Sequence, residues 1–117
     1  MQWNPDFILA HVGINADSEV DACKIASQFN QAFGLVVKVG GTSVFAGTEV
    51  EVMKQDGPGK MGHIAFSTAE MNNAMEYIRD CGFSFDESLI KRDAEGNVKA
   101  AYLSEDFGGF RVHLVAR

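Results

Sequence analysis

The three histidines of the chain, His11, His63 and His113, occur in similar sequence surroundings. Each lies in a short run where apolar residues alternate with it, which is typical of a β-strand with one buried face. A fourth such run, residues 49–54, carries Glu51 in the corresponding place. In all four strands the apolar side chains are expected to face a core, and the histidine or glutamate to face away. Imidazole and carboxylate groups bind Zn, Ni, Mn, Co or Fe(II), so we predict a site for one divalent metal ion.

The spacing of these residues follows an internal repeat. Residues 7–54 and 62–116 each have the pattern βαβββ, and a polar, turn-rich linker at 55–61 separates them. His11 and His63 are 52 residues apart, while Glu51 and His113 are 62 apart. A longer hairpin in the second unit accounts for the difference. Scattered surface histidines are the alternative, but they have no reason to occupy equivalent positions.

The repeat predicts an α+β fold of two tandem βαβββ modules in a single domain covering residues 1–117. Two four-stranded sheets, each with a helix on one face, would form a curved mixed sheet or a cup. The first helix is predicted to begin at Asp17 or Ser18 and to end before Gly34. The second is predicted to be capped by Thr68 and closed by Gly82.

Composition limits the possible partners. The 117 residues are 46% hydrophobic and 22% charged, as in a globular domain, and the net charge is −6. An acidic chain of pI near 4.9 is a poor candidate for binding nucleic acid or an anionic membrane. No signal peptide or apolar span is visible, and Cys23 and Cys81 have no metal or redox spacing, so a cytoplasmic location is expected. We expect a small-molecule substrate and a homodimer.

The same alternation nominates residues that would contact a substrate. Asn15 shares a strand face with His11, and Ser67 shares one with His63. Arg111 lies two residues before His113 and would pair with a carboxylate or phosphate group. A solvent-exposed arginine at the rim is the alternative for Arg111.

Three segments together resemble the vicinal oxygen chelate superfamily, which includes glyoxalase I, methylmalonyl-CoA epimerase, extradiol dioxygenases and fosfomycin-resistance proteins. They are AHVGIN at 10–15, followed by a helix ending in Phe33-Gly34, GHIAFS at 62–67, and GGFRVHL at 108–114. The resemblance covers nearly the whole chain. The chain is also similar to glyoxalase-like domains associated with bacterial 2-keto-3-deoxyphosphogluconate aldolases.

The resemblance implies a glyoxalase-like fold with metal ligands on the first and last strand of each module, here His11, Glu51, His63 and His113. It departs from glyoxalase I and the epimerase at His113, where those enzymes usually have glutamate. The implied activity is that of a lactoylglutathione-lyase-like lyase or isomerase, in which the metal stabilises an enediolate. Glu51, displaced from the metal or loosely bound to it, would be the base in this reaction, with His113 as the second candidate.

Two other functions remain open at this stage. Members of the same fold also sequester small drugs in the cup without a metal, and the histidines would then be wall residues. A ferredoxin-like regulatory dimer would give no reason for three histidines on equivalent faces. A cupin is disfavoured because the sequence has no H-x-H pair.

Overall fold

A computed structural model describes residues 3–117 of the chain. The first module contains β1 (Ile8–Asn15), α1 (Glu19–Phe33), β2 (Val37–Val39), β3 (Ser43–Ala46) and β4 (Val50–Met53). The second contains β5 (Gly62–Thr68), α2 (Met71–Asp80), β6 (Phe85–Arg92), β7 (Val98–Phe107) and β8 (Phe110–Ala116). Both modules therefore have the predicted βαβββ order, and the mixed α+β fold is confirmed.

The eight strands form one curved, open sheet in the order β2-β3-β4-β1-β5-β8-β7-β6. In each module the first strand pairs in parallel with the last, β1 with β4 and β5 with β8. The two four-stranded halves that the repeat predicts are joined edge to edge, because β1 pairs antiparallel with β5. The first strands of both modules consequently lie side by side at the centre of the sheet.

Each helix covers one half of the sheet and buries a separate apolar cluster. In the first cluster, Ala22 and Ala26 of α1 pack with Val52 of the sheet. In the second, Met75 of α2 packs with Leu103 and Leu114 of the sheet. Val52 and Leu114 are immediate neighbours of Glu51 and His113, so the alternation sends those two polar side chains to the face opposite the helices.

The ends of α1 agree with those predicted from the sequence, whereas the start of α2 differs from its prediction. Ser18 caps α1 by accepting a hydrogen bond from the backbone N–H of Asp21, and Gly34 ends the helix at a φ of 72°. The prediction of Thr68 as the cap of α2 is wrong, because Thr68 ends β5 and the N-cap position belongs to Glu70. The Thr68 hydroxyl instead donates to Asp6 at 2.6 Å. Across residues 3–117, the model contains no helix with the length and apolar character needed to cross a bilayer.

Candidate metal centre

Three of the four predicted ligands meet directly at the centre of the sheet. Nε2 of His63 lies 3.2 Å from Nε2 of His11 and 3.0 Å from Oε1 of Glu51. The third side of this triangle, from Nε2 of His11 to Oε1 of Glu51, measures 3.5 Å. These atoms come from three different strands and from both modules.

His113 joins the same cluster from β8. Each of the three histidines offers a ring nitrogen, and these nitrogens all lie within 4.8 Å of one another. The ring centroid of His113 is 5.2 Å from that of His63 and 5.6 Å from that of His11. We call His11, Glu51, His63 and His113 the four-residue cluster.

The strand register explains why the cluster forms. Gly13, two residues after His11, is opposite Glu51 in the β1–β4 pair. Ala65, two residues after His63, is opposite His113 in the β5–β8 pair. The relation between first and last strand is therefore the same in both modules. Pairing of β1 with β5 then brings the two pairs of side chains to one place.

Gly13 provides the space that His63 occupies. A Cβ at Gly13 would overlap the His63 imidazole ring, and His63 is only 1% exposed. The sequence analysis did not single out Gly13 as part of the site. A glycine inside a strand often marks a close approach of this kind, and that signal was available.

Two further neighbours of the cluster were also missed as site residues. The hydroxyl of Ser43 on β3 donates a hydrogen bond of 2.8 Å to Oε2 of Glu51. The Tyr102 ring on β7 stacks on the His113 imidazole, with centroids 4.3 Å apart and planes inclined by 14°. Both contacts depend on register between strands, which alternation along one strand does not reveal.

The surroundings of His11, His113 and Glu51 favour the protonation states that suit a cation. The pKa of His113 is lowered to about 3, first by burial and then by repulsion from His63 and His11. Burial also lowers the pKa of His11, although Glu51 opposes this shift. The pKa of the Glu51 carboxyl is lowered, chiefly by its hydrogen bond with His63. At neutral pH, His11 and His113 are therefore neutral and Glu51 is charged, as metal ligands must be.

The donor atoms also fit a divalent ion in spacing and in unused bonding capacity. Two ligand atoms that are each about 2.1 Å from one ion, at roughly a right angle, lie about 3 Å apart. The triangle of His11, Glu51 and His63 has sides of this length. Within residues 3–117, both ring nitrogens of His113 and Nδ1 of His63 are buried with no hydrogen-bond partner. Such orphaned nitrogens are rare in native proteins, and an ion bound at the cluster would account for one of the two on His113.

The three predicted substrate contacts lie outside the cluster. Arg111 donates to the carbonyl of Leu103 at 2.6 and 3.0 Å and lies 3.5 Å from Asp86. Asn15 donates to the carbonyl of Gly59 at 2.8 Å and so holds the linker. The Ser67 hydroxyl donates to the Ile8 carbonyl and accepts a bond from Arg117. Their assignment as substrate contacts stays a prediction.

Comparison with known proteins identifies relatives by structure only. No family model matches the chain, and no curated protein matches it in sequence. A hypothetical protein of Bacillus halodurans C-125 superposes with a TM-score of 0.63 at 14% identity, over 97% of this chain and 96% of the other.

Two of the similar structures are methylmalonyl-CoA epimerases. A variant of the Streptomyces coelicolor enzyme, in complex with 2-nitronate-propionyl-CoA, has a TM-score of 0.60 at 18% identity over 93% of both chains. The Mycobacterium tuberculosis enzyme has a TM-score of 0.57 at 13% identity, covering 92% of this chain and 86% of its own. The chain therefore has the mixed α+β, glyoxalase-like fold of these epimerases.

Proposed function

We propose that the chain is a divalent-metal-dependent enzyme that moves a proton on a small, oxygen-chelating substrate, as a glyoxalase-like isomerase or lyase. The observation that carries the proposal is the four-residue cluster, with its neutral His11 and His113 and its charged Glu51. Zn, Ni, Mn, Co and Fe(II) all suit imidazole and carboxylate ligands.

A divalent ion held by these residues would polarise a substrate carbonyl and stabilise the negative charge that develops on its oxygen. Four protein ligands on a six-coordinate ion leave two positions, which a substrate with two adjacent oxygens can fill. Two of the similar epimerase structures are complexes, one with methylmalonyl-CoA and one with 2-nitronate-propionyl-CoA. This supports a substrate that carries a removable C–H next to a carbonyl group.

Glu51 is the proposed base. Its side chain is partly exposed, at 19%, and it is ionised, so when it is displaced from the ion or loosely bound it can accept a proton from a substrate lying on the open face of the sheet. His113 is a weaker candidate, because a pKa of about 3 makes its ring a poor holder of a proton at neutral pH. Its lone pair remains available to a metal ion. Arg111 is proposed to contact a substrate anion by exchanging its bond with Asp86.

Solvent exchange tests this function without requiring the physiological substrate. Metal-loaded protein would be incubated in D₂O with 2-keto acids, thiol adducts of methylglyoxal and a 2-methylmalonyl thioester. We expect deuterium to enter at the carbon next to the carbonyl in at least one of these compounds. The exchange should fall by at least about 100-fold in Glu51→Gln, a typical loss for a general base. Failure of every compound to exchange would contradict the proposal.

A metal-free binding module is the second candidate, and aromatic side chains beside the cluster favour it. Phe45 lies edge-on to His11 at 6.1 Å, and Tyr102 stacks on His113, so a flat ligand would find aromatic contacts there. Binding of such ligands that is unchanged by a chelator and by His63→Ala would favour this candidate over the enzyme.

A further inference from the structure

Ser43 occupies a buried position next to the cluster. It opens β3, which pairs antiparallel with β4 so that Ser43 lies opposite Met53 and Phe45 lies opposite Glu51. Ser43 and Glu51 are thus diagonal neighbours, a separation that side chains on adjacent strands can span. The serine is only 5% exposed. A buried hydroxyl needs a hydrogen-bond partner, and Glu51 is that partner.

The contact divides the two oxygens of Glu51 between different partners. Oε2 accepts the 2.8 Å hydrogen bond from the Ser43 hydroxyl. Oε1 faces the histidines, at 3.0 Å from His63 and 3.5 Å from His11. Rotation of the carboxylate to present both oxygens to the histidines would break the bond to Ser43 and leave a buried hydroxyl without a partner, which is unfavourable.

We propose that Ser43 is a positioning residue that makes Glu51 a ligand through one oxygen only. The inference rests on the proposed function. A carboxylate bound through both oxygens would occupy two positions on the ion. Together with three imidazoles it would leave one position of six, too few for a substrate that chelates through two oxygens. By holding Oε2, Ser43 keeps two positions open.

Cobalt provides a direct probe, because the visible spectrum of bound Co²⁺ reports its coordination number. The protein would be titrated with Co²⁺, and the loaded protein would then be titrated with acetohydroxamate, which chelates through two adjacent oxygens. We expect the wild type to bind one Co²⁺ and then acetohydroxamate. Ser43→Ala should still bind Co²⁺ but with an altered spectrum, and its affinity for acetohydroxamate should fall by about 10-fold or more, as for other lost partners of metal ligands.

Thr68→Ala is the matched control. It also removes a buried hydroxyl that donates to a carboxylate, that of Asp6, but this pair lies at the far end of β5 from His63. The control should keep the wild-type Co²⁺ spectrum and acetohydroxamate affinity. If Ser43→Ala does not fold, as judged by circular dichroism, Ser43→Gly takes its place. It also lacks the hydroxyl and adds no new ligand, and a change in the same direction is expected.

The outcomes separate this inference from the proposed function. A wild type that binds Co²⁺ and acetohydroxamate, with serine variants that behave identically, overturns the role of Ser43 alone. Equal changes in Thr68→Ala and in the serine variants also overturn it, because the effect would then be general. A wild type that does not bind Co²⁺ overturns the inference, and it overturns the proposed function as well if Zn, Ni, Mn and Fe(II) also fail to bind.

Discussion

At the scale of single residues, the cluster depends on the His11 and His113 imidazoles staying neutral, which burial and the neighbouring rings favour. His113 is 6% exposed and faces His63, His11 and Lys91, whose positive charges would oppose its own. The Glu51 carboxylate favours the protonated form of His113 and so raises its pKa, but this effect is smaller than the lowering caused by burial. The resulting pKa of about 3 is far below the value of 6.5 expected in an unfolded chain.

This shift predicts that the chelator-treated protein loses stability in acid. Between pH 6.5 and about 3, the unfolded chain binds a proton at His113 that the folded chain does not. The free energy of unfolding is therefore unaffected by this group above pH 6.5. It falls by up to about 1.4 kcal/mol for each pH unit below that. The free energy of unfolding, measured with urea at pH 7, 6 and 5, should decline less steeply in His113→Gln than in the wild type. Equal slopes would contradict the lowered pKa of His113.

Gly13→Ala should damage the site by steric overlap. Its new methyl group would occupy the space of the buried His63 ring, so either the ring or the strand must move. Overpacking of this kind costs about 1–3 kcal/mol of unfolding free energy, and Co²⁺ affinity should fall with it. Gly41→Ala is the control, because nothing lies within 4 Å of a Cβ at that position. Similar effects of the two substitutions would argue against a close approach of Gly13 to His63.

At the scale of elements, the helices and the cluster occupy opposite faces of the sheet, so their roles can be separated. Ser18 caps α1 through the Asp21 backbone N–H, and α1 packs through Ala22 and Ala26 on the strand residues beneath it. Ser18→Ala should lower the free energy of unfolding by about 1 kcal/mol, as is typical for loss of an N-cap. Its Co²⁺ affinity in a calorimetric titration should match that of the wild type. A parallel loss of affinity would show that the helix positions the ligands directly.

The strands that carry the four-residue cluster were the most predictable elements. Alternation of apolar residues with His11, Glu51, His63 and His113 fixed the face of each side chain, because successive side chains in a strand point to opposite sides. The repeat then placed all four on equivalent strands. It also gave the α+β architecture and the helix ends at Ser18 and Gly34.

The parts that the sequence did not reveal are contacts between strands. The Arg111 guanidinium donates to the carbonyl of Leu103. The choice of this carbonyl depends on the pairing register of β7 with β8. The contacts of Ser43 with Glu51 and of Tyr102 with His113 have the same origin. Joining of the two halves through β1 and β5 likewise depends on which sheet edges meet, and hydrophobic periodicity does not encode that.

At the scale of the whole molecule, the cluster connects the two modules. His11 and Glu51 belong to the first module, and His63 and His113 to the second. An ion that binds only the folded chain stabilises the folded state by about 2.7 kcal/mol when the free ion concentration is a hundred times the dissociation constant. For a domain of this size, that raises the melting temperature by about 10 °C. Differential scanning fluorimetry with Ni²⁺ should show this rise for the wild type and not for His63→Ala; equal rises in both would indicate binding elsewhere.

The central claim is that one divalent ion binds at the four-residue cluster. Elemental analysis measures this directly, on protein stripped with chelator, reloaded separately with Zn, Ni, Mn, Co or Fe(II), and desalted. We predict one ion per chain for at least one of these metals, and well under half an ion in His11→Ala and His63→Ala. A wild-type content well below one ion per chain for all five metals would contradict the account.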